Sequence, residues 1–545
     1  MALAVHTYGY AFIVNGKSDG SARGDAGTQV MLGLLGAMLN PQARRSLVIG
    51  LGTGSSAGWL GAIPDMDRVD VIELEPLVVE VARACDAVNQ DVLQNPKVRV
   101  SIGDAREALL TGRDRYDLIA SEPSNPFRAG VASLFTREYY AAASDRLTDG
   151  GLFLQWVQLY EIDARTLGTV YATMAAAFPH IEAWEAGGAD LVLVGAKQPL
   201  THRADALAAR IQVEPFKTAL RVAWRTDDLT GLLAHFLANE QLAQVLAHAP
   251  GVAINTDDRN LVEFGFARSM GGDASLLADL RTLARTAGLA RPPFADQTPV
   301  DWAAVDTAWV AYQAGEHQFG GVAVAGPREE QARQASLMYY YRDTDLAAAR
   351  RSWPKDGRPP AGPNELAMLS DLEAETGSDA ALAFIDQLRT YQPGEAAAIL
   401  ATLRFRQARF EDAAVALEAA FDDFRASPWA LNRFEERAVA LADAVAARSP
   451  LLAARMFEAL KFPFAVHALQ DERLTEVANL TTGLNFKGLC REAVGALEPH
   501  ALWTRSFLTL RRDCYLAIGD PRLAVATREL EEFLASEPAE VGGGS

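Results

Sequence analysis

The residues with the clearest chemical potential form a glycine-rich run, Gly50-Leu-Gly52-Thr53-Gly54-Ser55-Ser56-Ala57-Gly58, directly after the apolar Leu47-Val-Ile. Glycines there permit tight backbone turns and let a ligand approach the chain closely. The run reads in three ways. Gly52-x-Gly54-x-x-Ala57 fits a dinucleotide-binding loop, with Glu73 lying 19 residues beyond Gly54, where a ribose-binding acid is expected. Gly54-x-Ser56-x-Gly58 fits the turn that presents a hydrolase's nucleophilic serine. Gly50-x-Gly52-x-Gly54 fits a loop holding an S-adenosyl sulfonium compound. The plainer alternative is that the glycines serve only a tight strand-to-helix turn.

Two acids help to choose. Val71-Ile72-Glu73 ends a strand with a carboxylate able to accept both ribose hydroxyls, and Gly103-Asp104-Ala105 places a second just after the next strand, within reach of an adenine amino group. A lone Asp at such a junction is as often a helix N-cap. Together, the pair reads the two ends of an adenosine, and a dinucleotide site does not require the second acid. The hydrolase reading needs a later acid and a histidine, for which His180 is the one nearby candidate. On that reading the nucleoside cradle comprises Gly50, Gly52, Thr53, Gly54, Glu73, Asp104 and Ala105.

These residues need a frame. Short apolar runs predict strands at Ser46–Gly50, Val69–Glu73, Val98–Ile102, Tyr116–Ser121, Gly151–Leu159, Ile181–Ala186 and Leu191–Gly195. Helical periods fall between them at Ser55–Ala62, Pro76–Ala87, Ala105–Leu110, Thr136–Leu147 and Ala164–Phe178. Such alternation implies a mostly parallel sheet covered on both faces. The last two runs lack a helix between them and should pair as an antiparallel hairpin at the sheet edge. The expected fold is thus a Rossmann-like domain of methyltransferase type with a seven-stranded sheet over 41–200. A strand at Tyr8–Asn15 entering a turn at Gly16, then a helix over Thr28–Leu39, predict a small β-hairpin and helix over 1–40. Residues 201–270 read as a mixed extension without further strands. Residues 271–540 are rich in alanine and leucine and read as an all-α, tetratricopeptide-like or solenoid domain. Arg409-Phe-Glu-Asp-Ala413, Leu489-Cys-Arg-Glu-Ala493 and Asp520-Pro-Arg-Leu-Ala524 resemble repeat turns, although spacings of 80 and 31 residues are irregular and a plain helical bundle is the alternative. Gly542-Gly-Gly-Ser545, within 541–545, reads as an appended linker.

Composition narrows the function classes. Hydrophobic residues at 49% and charged residues at 22% describe an ordinary globular chain. With 70 acidic and 51 basic residues, the formal net charge of −19 disfavours nucleic acid and anionic membranes and favours cationic ligands such as amines. Cys85, Cys490 and Cys514 are far apart and odd in number, which fits a reduced compartment better than a disulfide framework. Neither these nor the eight scattered histidines have metal-site spacing, so no metal is expected. No leader is evident, and the longest apolar stretch, Val30–Leu39, is too short to span a bilayer; a cytoplasmic protein is expected.

Over residues 8–196 the chain resembles the polyamine aminopropyltransferases, the spermidine synthase family. The resemblance rests on Asn15-Gly16, Asp25-x-x-x-Gln29, the glycine loop, Glu73-Leu-Glu75 and Gly103-Asp104-Ala105. Its strongest part is Tyr116-Asp-Leu-Ile-Ala-Ser-Glu122-Pro-Ser-Asn125-Pro126, followed by Ser133-Leu-Phe135 and Tyr139-Tyr140. Ser121–Pro126 and Asn255-Thr-Asp-Asp-Arg259 with Glu263-Phe264 are similar to a bacterial spermidine synthase-like subgroup. Many of its members carry upstream membrane helices and a helical, repeat-containing tail, so this chain would be a soluble relative or a soluble portion. The departures are specific. The family's loop Asp, which faces the donor ammonium, is Thr53 here. Its catalytic Asp aligns with Glu122, its second amine-binding Asp with Asn125, a Tyr with Thr28, and a Gln with Asp19. The adenosine half is kept, while the amine half is rebuilt. Loss of the loop acid would also admit the carboxylate of S-adenosylmethionine itself.

The resemblance implies aminopropyl transfer from decarboxylated S-adenosylmethionine, or from S-adenosylmethionine, to a small-molecule amine, releasing methylthioadenosine. An acceptor amine is mostly protonated at pH 7 and must be neutral to attack, so a carboxylate has to orient it and take its proton. Glu122 is expected in that role, with Asp19, Asp25, Asn125, Gln155 and Tyr160 around the acceptor and Gln29 beside the donor. For Glu122, Asp19 and Asp25 the bland alternative is a loop or turn carboxylate. Methyl transfer, intramolecular cleavage of the sulfonium, and a non-enzymatic ligand sensor whose helical repeats bind a protein partner or a second copy are the rival readings. Asn255–Arg259 is read as a structural Asx-turn knot in preference to a pocket lid.

Overall fold

The computed structural model describes residues 1–14, 16–128, 130–271, 276–316, 326–484, 488–498 and 501–536. Asn15 and the expected linker at 541–545 therefore lie outside the described residues. The chain divides into two compact units, Met1–Ala4 with Tyr10–Glu365, and Val5–Gly9 with Leu366–Ser545.

The first unit is built on a sheet whose strands are β4 (Arg45–Ile49), β5 (Arg68–Glu73), β6 (Val98–Ile102), β7 (Tyr116–Ser121), β8 (Leu147–Gln158), β9 (His180–Gly187), β10 (Asp190–Ala196) and β11 (Phe236–Ala238). Their order is β11-β9-β10-β8-β7-β4-β5-β6. The strands from β6 to β8 pair in parallel, and β10 runs antiparallel to both β8 and β9. This is the Rossmann-like methyltransferase fold. It differs from the expected sheet in one respect. There are eight strands, not seven, because β11 pairs with β9; three residues, Phe-Leu-Ala, are too short to show a period. The antiparallel β9–β10 hairpin closes that end of the sheet as expected, with β10 between β8 and β9 and only β11 beyond it. All seven residues of β10 are buried, as a strand with neighbours on both sides and both faces covered requires.

Ahead of the sheet, β1 (Ala2–His6), β2 (Gly9–Val14) and β3 (Lys17–Ser21) form a small sheet of three strands instead of a bare hairpin. The buried helix α1 (Ala26–Leu39) follows and packs with α2 (Ser55–Gly61), and α3 (Val78–Ala84) follows β5 in the chain. An added Cβ on Gly36 would lie 2.7 Å from Leu154 and 3.1 Å from Leu118, so α1 lies directly on the even-numbered face of β7 and β8. The opposite face carries Ile119, Phe153 and Val157 into a core with α4 (Ala105–Thr111), α5 (Arg137–Arg146) and α6 (Ala164–Ala175). Phe153 is fully buried, stacked on Phe178 at 4.9 Å and edge-on to Tyr139 and Tyr140.

Further helices complete this unit, including Leu277–Thr286 and Trp302–Gly315. They are held to the sheet by a buried charge. Glu185 of β9, fully buried, accepts hydrogen bonds from Arg281, Gln313 and Trp309 Nε1. The unit boundary at 365/366 places these helices with the sheet, inside the range 271–540 that the sequence treats as one helical region.

The second unit pairs successive helices: Pro393–Arg406 with Phe410–Ala426, Asn432–Ala446 with Pro450–Leu460, and Arg505–Ile518 with Leu523–Ser536. Each of the three sequence cues sits at the entry to a helix, at Arg409, Leu489 and Asp520. Cys490 and Cys514 lie with Cα atoms 5.9 Å apart, within reach of a disulfide, while Cys85 is buried. Helices Leu489–Leu497 and Arg505–Ile518 pack as neighbours, so a separation of 24 residues brings the two thiols together. No helix among the described residues is long and apolar enough to cross a membrane.

Candidate functional site

The glycine loop joins β4 to α2 with Gly50, Gly52 and Gly54 all at positive φ (92°, 53° and 85°), a conformation that side chains with a Cβ rarely adopt. Packing fixes the outer two: a Cβ on Gly50 would sit 2.7 Å from the Glu122 carbonyl oxygen, and one on Gly54 2.6 Å from Val92. A Cβ on Gly52 would meet nothing within 4 Å, so the middle of the loop faces open space. Asn89, wholly buried, donates from Nδ2 to the carbonyls of Thr53 and Ala82 (2.7 Å each) and clamps the loop from behind. Sequence reading missed Asn89 because an Asn in a polar stretch after a helix looks like an ordinary turn residue.

Glu73 is buried at the end of β5, and its carboxylate spans the loop. Oε2 accepts from Leu51 N and Oε1 from Glu75 N, both at 2.8 Å. A carboxylate has about four lone-pair positions, so two remain for a ligand. Asp104 caps α4 by accepting from Arg106 N at 2.7 Å through Oδ1, and it is exposed. Both the N-cap and the ligand reading of Asp104 can therefore hold, one oxygen serving each. Ala105 is buried in the first turn of α4. Three apolar side chains around these acids are left in solvent: Leu74 (73% exposed), Leu77 (55%) and Ile102 (50%), the last paired in register with Glu73. Exposed apolar groups flanking two acids at the carboxyl ends of adjacent strands suit a flat heterocycle.

On the other side of the loop lies a polar group centred on Glu122, which follows β7. Thr53 Oγ1 bonds Gln29 Oε1 and sits 3.0 Å from Ser55 Oγ. Ser56 Oγ lies 2.6 Å from the Gln29 carbonyl oxygen and 2.8 Å from Glu122 Oε2, able to donate to one at a time. Glu122 keeps partial surface exposure, yet protein surrounds it closely enough that desolvation raises its pKa to about 7. A hydrogen bond from Ser56 opposes the rise, and the charge of Asp25 adds to it. Asp25, just before α1, accepts from Ser21 N at 2.6 Å, and burial likewise raises its pKa.

Asp190, which opens β10, joins this group and was not anticipated. Burial, aided by repulsion from Asp25 and Glu122, raises its pKa well above the usual carboxylate range. In sequence it follows Gly187-Gly-Ala189 and precedes an apolar strand, which reads as a plain hairpin turn. Burial raises the pKa of the Tyr160 phenol, with the charge of Asp190 the next cause and the nearby Asn125 amide opposing the rise. Asn125 Nδ2 in turn donates to Gln158 Oε1, whose amide donates to the Tyr160 carbonyl at 3.0 Å. The structure thus gathers Glu122, Asp25, Asn125 and Tyr160 from the predicted set, and adds Asp190, Thr28, Ser56 and Gln158.

Two predicted residues stand apart. Asp19 is nearly buried and pairs with Arg128 at 2.9 Å while accepting from Ser124 Oγ at 2.6 Å, so its charge is spent in tying β3 to the loop after β7. Gln155 is fully buried on the Phe153 side of β8; its Nε2 donates to the Trp156 carbonyl and its Oε1 has no hydrogen bond. Asn255, also fully buried, bonds the Phe135 carbonyl, Thr173 Oγ1 and Val262 N, and Asp257 holds Arg106 in a two-pronged ion pair. The Asn255–Arg259 segment is therefore a knot beside the site. Among the described residues no three acidic, histidine or cysteine side chains converge as a metal site.

Comparison with known proteins bears on the same residues. Residues 26–184 match the family model of the spermine/spermidine synthase domain, in agreement with the resemblance read from the motifs. A polyamine aminopropyltransferase of Clostridium perfringens is 28% identical over 149 residues, 27% of this chain and 52% of that protein. One of Corynebacterium efficiens is 39% identical over 117 residues, 21% of this chain and 22% of that protein. The chain thus spans about half or less of the length of these relatives. Among solved structures, a spermidine synthase in complex with the transition-state analogue AdoDATO is 20% identical, covering 35% of this chain and 67% of that one with a TM-score of 0.33. Human methyltransferase-like protein 13 in complex with SAH is 21% identical, covering 36% and 92%, with a TM-score of 0.30.

Proposed function

We propose that this chain, through its spermine/spermidine synthase-type domain, transfers an aminopropyl group from an S-adenosyl sulfonium donor to an amine and releases methylthioadenosine. The observation that carries the reading is the pairing of two unlike half-sites on either side of one glycine loop. One is an adenosine cradle at Glu73 and Asp104. The other is a set of carboxyls, Glu122, Asp25 and Asp190, whose burial and mutual repulsion disfavour their charged forms and which a bound ammonium would relieve.

The donor fits the first half-site. Gly52 leaves room at the loop; Glu73 has lone pairs for ribose hydroxyls, Asp104 has a second oxygen for the adenine amino group, and Leu74 and Ile102 offer apolar contact. Thr53, Gln29 and Ser55 supply a neutral polar lining beyond the loop, which would tolerate a carboxylate on the donor as readily as its absence. In the reaction the amine nitrogen attacks the methylene next to sulfur, the carbon–sulfur bond breaks, and its electron pair neutralises the sulfonium. Glu122 takes the proton that the nitrogen sheds. With a pKa of about 7 it is poised between holding and accepting a proton, the condition under which a carboxyl works best as a base near neutrality.

Methyl transfer uses the same cradle, but a cluster of carboxyls that recognises a cation has no necessary part in it. Incubation with decarboxylated S-adenosylmethionine or S-adenosylmethionine, with and without a primary amine, separates the readings. Methylthioadenosine formed mole for mole with an alkylated amine supports the proposal. Adenosylhomocysteine would replace it with methyl transfer, and methylthioadenosine without need of an amine would replace it with sulfonium cleavage.

A further inference from the structure

Asp190 stands directly opposite Gln158 in the antiparallel register of β10 and β8. Opposed residues in such a pair send their side chains to one face, so Asp190 shares the α1 side with Gln158. The close fit of α1 to the turn before it fixes its position. A Cβ on Gly27 would lie 2.8 Å from the Ala186 carbonyl oxygen, and one on Gly187 would approach Gly27 Cα to 3.7 Å. Asp190 is only 9% exposed. Its Oδ2 accepts from Thr28 Oγ1 at 2.7 Å; Oδ1 is buried and no donor reaches it in hydrogen-bonding geometry, although the Trp156 indole N–H approaches the carboxyl closely enough to oppose the rise in its pKa. It feels the charges of Asp25 and Glu122, and Tyr160 in turn feels the charge of Asp190.

A buried carboxyl with one satisfied oxygen is costly, and an uncharged residue would form the same hairpin at less cost. Four separate segments (before α1, after β7, after β8 and at the start of β10) thus bring groups to one place, and one acceptor atom there lacks a donor. We propose that Asp190 is a specificity-determining residue of the acceptor site, its Oδ1 taking an N–H of the incoming amine while Thr28 holds Oδ2. The β9–β10 hairpin, as well as the loop after β7, then selects a nitrogen nucleophile. This rests on the aminopropyl-transfer reading.

Steady-state kinetics with decarboxylated S-adenosylmethionine and three amines (butylamine, 1,3-diaminopropane and 1,4-diaminobutane) test it on the full chain. Loss of a charge-assisted hydrogen bond predicts that Asp190→Asn raises the acceptor KM about tenfold or more. The kcat should stay within about threefold and the calorimetric affinity for methylthioadenosine should not change. Thr28→Val, which leaves the carboxyl in place but unheld, should raise the acceptor KM in the same direction, again sparing the nucleoside. An unchanged acceptor KM in Asp190→Asn, or a parallel loss of nucleoside affinity in both variants, overturns the assignment and makes Asp190 a packing residue. If the wild-type chain forms no methylthioadenosine with any of the three amines, the reading beneath falls and the assignment with it.

Discussion

At the scale of single residues, the site separates groups that grip from groups that react. Asp104 does two jobs, capping α4 through Oδ1 and facing solvent with its other oxygen. Asp104→Ala should cost about 1 kcal/mol of stability through the lost cap. Asp104→Ser should restore the cap but not the reach, so both variants bind nucleoside weakly while only the first melts earlier. Calorimetry and thermal melts on the pair distinguish the roles; a serine variant with wild-type affinity would leave Asp104 as a cap alone. Glu122 gives a signed pH dependence. As a base it must be ionised, so kcat/KM for the amine should rise as pH increases through about 7. Its folded pKa lies above that of a free carboxyl, so its contribution to stability is fully present below about pH 4.3 and is lost as pH rises through about 7. Glu122→Gln should abolish turnover, spare nucleoside binding and, at pH 8, raise the melting temperature. A variant no more stable than wild type at pH 8 would show that the carboxyl is not desolvated.

At the scale of elements, the frame was largely legible in the sequence. The parallel strands and intervening helices announce themselves by apolar runs and period, because each must bury a face. The glycine loop and the acids at 73, 104 and 122 follow from where those strands end. What escaped depends on contacts remote in sequence. Asp190 acquires its setting from Thr28, 162 residues away, and Asn89 from a carbonyl 36 residues back. Gln155 was expected around the acceptor, but strand parity puts its side chain on the Phe153 face, under a different layer. The proximity of Cys490 and Cys514 was hidden because helix pairing, not spacing, brings them together. Two substitutions test the frame. Phe153→Ala empties a fully buried stack and should cost about 3–5 kcal/mol. Glu185→Ala should cost a similar amount, about 3–5 kcal/mol, because Arg281 (side chain 4% exposed) would be left as an unpaired buried charge. A loss under 1 kcal/mol in denaturant melts of either variant would contradict the packing described.

At the scale of the whole molecule, the net charge of −19 and the buried carboxyls act in the same direction on a cationic acceptor. Screening should therefore lower kcat/KM for a diamine severalfold between about 0.05 and 0.5 M salt, while affinity for uncharged methylthioadenosine stays constant; equal salt sensitivity of the two would count against electrostatic recruitment. The paired helices of the second unit are proposed to serve a protein partner or a second copy of the chain. The account as a whole stands on one bound nucleoside, and the most direct measurement is calorimetric titration of methylthioadenosine into the wild-type chain and into Asp104→Ser. Saturable one-to-one binding, weakened about tenfold or more in the variant, is the expected result. No binding to the wild type, or equal binding to both proteins, would contradict it.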